Sequence, residues 1–179
     1  MTFTEIVNLV LSVMTIVGQI FVLAGFFCLI SGQGKWFLNF LNQHVLAMSF
    51  VVALVATLGS LTYSDLIGYN PCKLCWFQRI AMYPSVILLG MAIHRKSREI
   101  IDYILTLSVV GAIIAGYHYL MQIGVAPALP CSAVGYSASC SERFVMEFGY
   151  ITIPMMALTA FLMIIILILV AKKVDKRDH

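Results

Sequence analysis

The run Asn70-Pro71-Cys72-Lys73-Leu74-Cys75-Trp76-Phe77-Gln78-Arg79, continued by the uncharged stretch Ile80–His94, decides the fold. Only 15 residues separate Arg79 from Arg95. At about 1.5 Å per residue they make about 22 Å of helix, too little for the roughly 30 Å of a bilayer core. A crossing helix therefore has to begin earlier. Its natural start is Asn70 as N-cap with Pro71 at the first helical position. That start puts Cys72 and Cys75 in the first turns and draws Arg79 below the membrane rim.

Outward from this segment the chain is apolar almost throughout. Of its 179 residues 61% are apolar and 11% charged, which excludes an ordinary soluble domain. Stretches free of Asp, Glu, Lys and Arg run for 29 residues between Glu5 and Lys35 and 29 between Lys35 and Asp65. Two more run for 39 between Asp102 and Glu142 and 24 between Glu147 and Lys172. With the segment above they predict five transmembrane helices, at about Ile6–Ile30, His44–Leu61, Asn70–His94, Ile100–Gln122 and Tyr150–Val170. The fold expected is an all-α membrane bundle in a single domain, without repeats or low-complexity tracts.

The net charge of +3 reflects topology and not nucleic-acid binding. Basic residues cluster at His94-Arg95-Lys96 with Arg98, and at Lys172-Lys173 with Lys176-Arg177, beside apolar spans. By the positive-inside bias both clusters face the cytoplasm. Alternation then puts the segment around Lys35 inside, and the N-terminus, Tyr63–Cys75 and Ile123–Tyr150 outside. Glu5 in place of a basic leader, with an apolar run twice the usual signal length, argues for a retained first helix.

This topology, drawn without the cysteines, places Cys72, Cys75, Cys131 and Cys140 all on the outer side. Cys28 alone lies within a span, as a small buried apolar residue. Four thiols in an oxidising compartment suit two disulfides or an exchanging relay.

A Cys-x-x-Cys pair at a helix N-terminus gains thiolate character from the unpaired N–H groups and the helix dipole. Arg79, one turn beyond Cys75, adds a cation on the same face, and Gln78 shares part of it. The alternatives are a structural disulfide or a metal site. Against a metal stand the lack of neighbouring His or acidic ligands and the oxidising setting. His118 lies at a depth similar to Arg79, with Gln122 one turn above it; the two ionisable groups could grip a polar head carried by a lipid-soluble molecule. His118 could equally belong to the interfacial aromatic belt with Tyr117 and Tyr119. Cys131 and Cys140 close a short loop that either staples the chain or exchanges readily. Ser139 and Glu142 form a capping-box pattern that predicts a short surface helix carrying Phe144, Val145 and Phe148.

The Asn70–Arg79 run, His118 with Gln122, Cys131, Cys140-Ser141-Glu142-Arg143, Phe148-Gly149 and Pro154 together resemble the disulfide bond formation protein B family, including its BdbC branch. The resemblance runs from about residue 43 to the C-terminus. It implies a four-helix bundle over 43–179, with residues 1–42 supplying an additional N-terminal helix and inner loop. It also implies a bacterial inner-membrane enzyme that reoxidises a DsbA-like thioredoxin-fold partner and passes electrons to a quinone, ubiquinone or menaquinone, from the membrane pool. On that resemblance Cys131 and Cys140 exchange with the partner, and Cys72 and Cys75 are reoxidised by quinone, Cys75 being nearest the ring. A transient Cys72–Cys140 link joins the pairs, and Arg79 and His118 belong to the quinone pocket. Two features depart from the family pattern: the extra first span, and the close spacing of the second cysteine pair. A reductant carrier would need cysteines accessible from both faces, and the only inner one is Cys28. A scaffold with structural disulfides would not respond to quinone.

Overall fold

Thr2 opens the first helix by reciprocal capping: its hydroxyl accepts from the Glu5 N–H, and the Glu5 carboxylate accepts from the Thr2 N–H at 2.8 Å. The computed structural model describes residues 2–32, 34–127 and 139–178. The elements run α1 Phe3–Ser31, α2 Lys35–Gln43, α3 Val45–Leu61, a π-helical turn Thr62–Leu66, α4 Lys73–Arg95, α5 Ile101–Gln122 and α6 Ile153–Asp178. No strand forms among the described residues. Among the described residues five segments are long and apolar enough to cross a membrane, as the sequence predicts: α1, α3 with the π turn, α4, α5 and α6.

α6 is the hub. It packs on α5, α3, α2 and α1, while α4 sits between α3 and α5. Phe161, Ile164, Leu167, Ile168 and Val170 of α6 are fully buried, in one cluster with Ala53 of α3, Leu89 of α4 and Ile104 of α5. Those four helices make the expected bundle, and α1 lies against α6 on its outside. Lipid tails are as apolar as leucine, so close approach and not hydrophobicity must hold α1 there. The residues α1 buries are all small: Ser12, Thr15, Gly18 and Gly25. A Cβ on Gly18 would stand 2.8 Å from Met163 Sδ, and one on Gly25 only 2.5 Å from Ile166 Cγ2.

One end of the bundle is basic and cross-tied. Arg98 donates to the side chain and carbonyl of Asn42 at 2.8 and 2.7 Å, and Asn42 donates to Asp175 at 2.9 Å. Lys172 pairs with Asp102, and Lys173 reaches the carbonyl of Leu29. The cysteines other than Cys28 that lie among the described residues gather at the opposite end.

Several expectations change. α2 is a helix in its own right, burying Leu38 and Leu41 while Trp36 and Phe40 stack on its exposed side. α4 begins at Lys73, two residues later than expected, because Cys72 and not Asn70 is the N-cap: its sulfur accepts from the Cys75 N–H at 3.4 Å. The surface helix expected after Ser139 does not form. Ser139 Oγ is occupied by Ser141, and the Glu142 N–H closes a turn on the Ser139 carbonyl. The chain is then tied laterally to α5 and reverses at Phe148 and Gly149, with φ of 52° and 78° and a bridge from Glu147 to Ile151. Cys131 lies outside the described residues.

Candidate redox site

Cys72 and Cys75 face each other across the first turn of α4, with their sulfurs 3.2 Å apart. That is hydrogen-bonding distance for two thiols and well beyond the roughly 2.05 Å of a disulfide. Cys72 is 3% exposed and donates to Cys75. The Cys72 thiol is pushed up to about 12, first by that hydrogen bond and then by burial, with the nearby His118 ring opposing. Cys72 therefore keeps its proton and hands it towards Cys75.

His118, on α5 and 2% exposed, organises the other side of Cys72. Its Nε2 lies 3.0 Å from the carbonyl oxygen of Cys140 and 3.7 Å from Cys72 Sγ, and its Nδ1 lies 3.0 Å from Gln78 Nε2. A carbonyl only accepts and an amide NH2 only donates, so Nε2 carries the hydrogen and Nδ1 is bare. Cys140 is 1% exposed and shares a buried cluster with Cys72, Leu74 and Met121. Gln122 fixes the same loop: its Nε2 donates to the Glu142 carbonyl at 2.8 Å, and its own carbonyl accepts from Arg143 Nε at 2.7 Å. A cavity of about 20 Å³ among Cys72, Cys75, His118, Gln122 and Glu142 has room for about one water, and the buried Gln122 Oε1 finds no partner among the described residues.

Arg79 turns the other way. Its Nε donates to Ser60 Oγ and its Nη2 to the Ser60 carbonyl, both at 3.0 Å, and its guanidinium lies 5.3 Å from the Trp76 ring centre and 5.9 Å from that of Tyr83. Tyr83 also donates to Ser60 Oγ, at 3.3 Å. Ser60 stands just before the π turn, in which Ile67 bonds back to Thr62 across five residues; such shifts of the helical ladder recur at functional sites. Cys75, Gln78, Arg79, Tyr83 and Tyr63 line the polar end of a cavity of about 420 Å³ whose remaining walls are mainly apolar and come from α1, α3, α4 and α6.

The expected clamp of Arg79 and His118 on one ligand is therefore not assembled. Neighbouring positions on a helix point about 100° apart, so Gln78 faces α5 and His118 while Arg79 faces α3. Arg79 and Cys75 share the large cavity; His118 and Gln122 sit behind Cys72, against the Cys140 loop. The expectation that no histidine neighbours the cysteines is also corrected. Cys72 Sγ, Cys75 Sγ and a His118 ring nitrogen lie within 4.8 Å of one another, a set able to hold a thiophilic cation. Cys28 is half-buried on α1 against the core. Sequence reasoning missed Ser60 and Tyr83, which no local spacing links to Arg79, and missed α1 as a cavity wall.

An all-helical bundle with five membrane-length segments, holding a dithiol at a helix start and a third buried cysteine against it, defines a membrane thiol-redox protein. The disulfide bond formation protein DsbB family model matches residues 42–171, and the chain belongs to that family. It is 43% identical over 126 residues to disulfide bond formation protein C of Bacillus subtilis (strain 168), covering 69% of this chain and 89% of that protein. It is 41% identical over 141 residues to a probable disulfide formation protein of Coxiella burnetii (strain Dugway 5J108-111), covering 76% and 94%. A probable disulfide formation protein of Metapseudomonas resinovorans matches at 37% over 135 residues, covering 74% and 92%. No solved structure matches significantly. With the family comes its coarse activity, disulfide-generating thiol oxidation in a membrane. α1 precedes the matched segment.

Proposed function

We propose that the protein is a protein-thiol:quinone oxidoreductase of a bacterial inner membrane, with its cysteine end facing the exterior and its basic end the cytoplasm. One observation carries this reading: Cys75 and Arg79 open together on an apolar, membrane-embedded cavity of about 420 Å³, within the range of small-molecule sites. The residues fit a quinone. Arg79 and Tyr83 offer polar groups for the ring oxygens, and the mainly apolar walls suit the ring and tail. Bound there, a quinone supplies an acceptor for two electrons and two protons as the Cys72–Cys75 dithiol closes to a disulfide.

The residues of the chain do the rest. A thiolate of a DsbA-like thioredoxin-fold partner attacks a Cys131–Cys140 disulfide; its second thiol then resolves the mixed disulfide, so the partner leaves oxidised and the loop holds two thiols. A loop thiolate next attacks the Cys72–Cys75 disulfide, linking Cys140 to Cys72 and releasing Cys75 as the leaving thiolate. The second loop thiol resolves that link, which regenerates the loop disulfide and leaves Cys72 reduced. Within this exchange His118 holds the Cys140 backbone over Cys72, and its Nε2–H lies near enough to Cys72 Sγ to stabilise negative charge there as the mixed disulfide is resolved. Arg79, fixed by Ser60, supplies the permanent positive charge on the cavity side of Cys75.

The test is quinone-dependent oxidation of a reduced thioredoxin-fold partner by the protein in detergent. The parent should turn over and Cys75→Ser should not. Equal turnover of both proteins would overturn the reading.

A further inference from the structure

The large cavity has two unlike ends. At the cysteine end it is polar, where Cys75, Gln78, Arg79 and Ser60 meet. Deeper in the membrane the lining is mainly apolar, and four of the lining residues are also widely exposed: Val13 (46%), Met14 (46%) and Val17 (61%) on α1, and Val51 (55%) on α3. Residues that both line a cavity and face outward mark its mouth. Val51 precedes Ser60 by nine residues on the same helix, so the mouth lies about 13 Å further along the membrane normal than the polar end. There the surroundings are lipid tails. One side of this mouth is built by α1, which lies ahead of the segment matched by the family.

α1 is well placed to be a fixed wall. It is seated on α6 through Gly18 and Gly25, where any side chain would collide, and braced by Tyr150 donating to Gln19 at 2.8 Å and by Lys173 on Leu29. The face it turns to the cavity, Leu11, Val13, Met14, Thr15, Val17 and Gly18, carries no charge, and its one hydroxyl, on Thr15, is spent on the Leu11 carbonyl at 2.7 Å.

We infer that α1 is the tail-side wall of the acceptor site, and that Val13, Met14 and Val17 select a two-part acceptor: a polar ring lodged at Arg79 and a long apolar tail leaving through the α1–α3 mouth. This rests on the quinone reading above and adds to it the ligand's shape and its route to the bilayer. The determinants are specificity residues, since they meet the tail and never the reacting atoms.

The experiment pairs labelling with kinetics. A prenylated quinone carrying a photoreactive diazirine on its tail is irradiated with the full-length protein, and the labelled peptides are mapped by mass spectrometry. Label is expected on the stretch of α1 spanning residues 11–18 and on α3 near Val51. In parallel, Val13→Trp and Val17→Trp are compared with Val10→Trp, an exposed α1 position outside the cavity lining. The two mouth variants should raise KM for the prenylated quinone about tenfold. They should leave kcat, and KM for a tail-less quinone, within about twofold, and Val10→Trp should change neither. Label confined to other helices, or mouth variants that affect both quinones alike, would overturn the inference while turnover of the parent left the quinone reading standing. A parent that oxidises its partner with neither quinone would sink the quinone reading and this inference with it.

Discussion

Replacing Ser60 by Ala removes one oxygen, a π turn and a loop away from the nearest cysteine in sequence, and should weaken the chemistry at Cys75. The Ser60 hydroxyl accepts from Arg79 Nε at 3.0 Å and from Tyr83 at 3.3 Å, while the Ser60 carbonyl separately accepts from Arg79 Nη2. The substitution deletes the first two bonds and leaves the third. A hydrogen bond to a charged group contributes about 1.5–3 kcal/mol. Because the carbonyl still restrains the guanidinium, the lower figure applies, about 1.5 kcal/mol, or about tenfold in a rate constant. The assay is kcat/KM for quinone-dependent oxidation, together with the pH profile of Cys75 alkylation, which loss of stability alone would not move. Arg79→Gln should cost more, about a hundredfold. The double variant should be no worse than Arg79→Gln alone, because Ser60 acts through the arginine. Additive effects in the double variant, or a Ser60→Ala protein with unchanged kcat/KM and alkylation profile, would refute the reasoning.

Three further outcomes follow from the geometry. In a background with Cys75 and Cys131 both serine, mild oxidation should link Cys72 to Cys140, and His118→Ala should slow that link about tenfold by freeing the Cys140 carbonyl from its 3.0 Å bond; non-reducing gels with alkylation quenching read this out. Gly111→Ala should lower thermal stability sharply, since its Cβ would stand 2.3 Å from the Phe161 ring, whereas Gly116→Ala, with no described atom within 4 Å, should be neutral or mildly stabilising in the same melt. Cys72, whose thiol is pushed up to about 12, should resist alkylation in the folded reduced protein at pH values where an ordinary thiol, titrating near about 8.5, already reacts; its labelling should rise only towards the alkaline end.

Composition and charge patterning alone determine that this chain is a five-span helical membrane protein, because the hydrocarbon core imposes a length on every apolar run and the basic residues mark its ends. The Cys72-to-Arg79 spacing likewise determines that a cation lies one turn from Cys75, since helical periodicity is local. The tertiary structure decided what periodicity cannot reach. Gln78 and Arg79 are neighbours in sequence, yet their directions on α4 send one to His118 and the other to Ser60, which divides the expected quinone clamp between two faces of the dithiol. The capping-box pattern at Ser139 lost to lateral ties from Gln122 and Arg143, which hold the backbone in a turn instead of a helix. The place of α1 followed from glycines whose meaning appears only against Met163 and Ile166: small residues are silent in a hydropathy profile, and only a partner helix at close range turns them into a docking face and thereby makes the first helix a wall of the cavity.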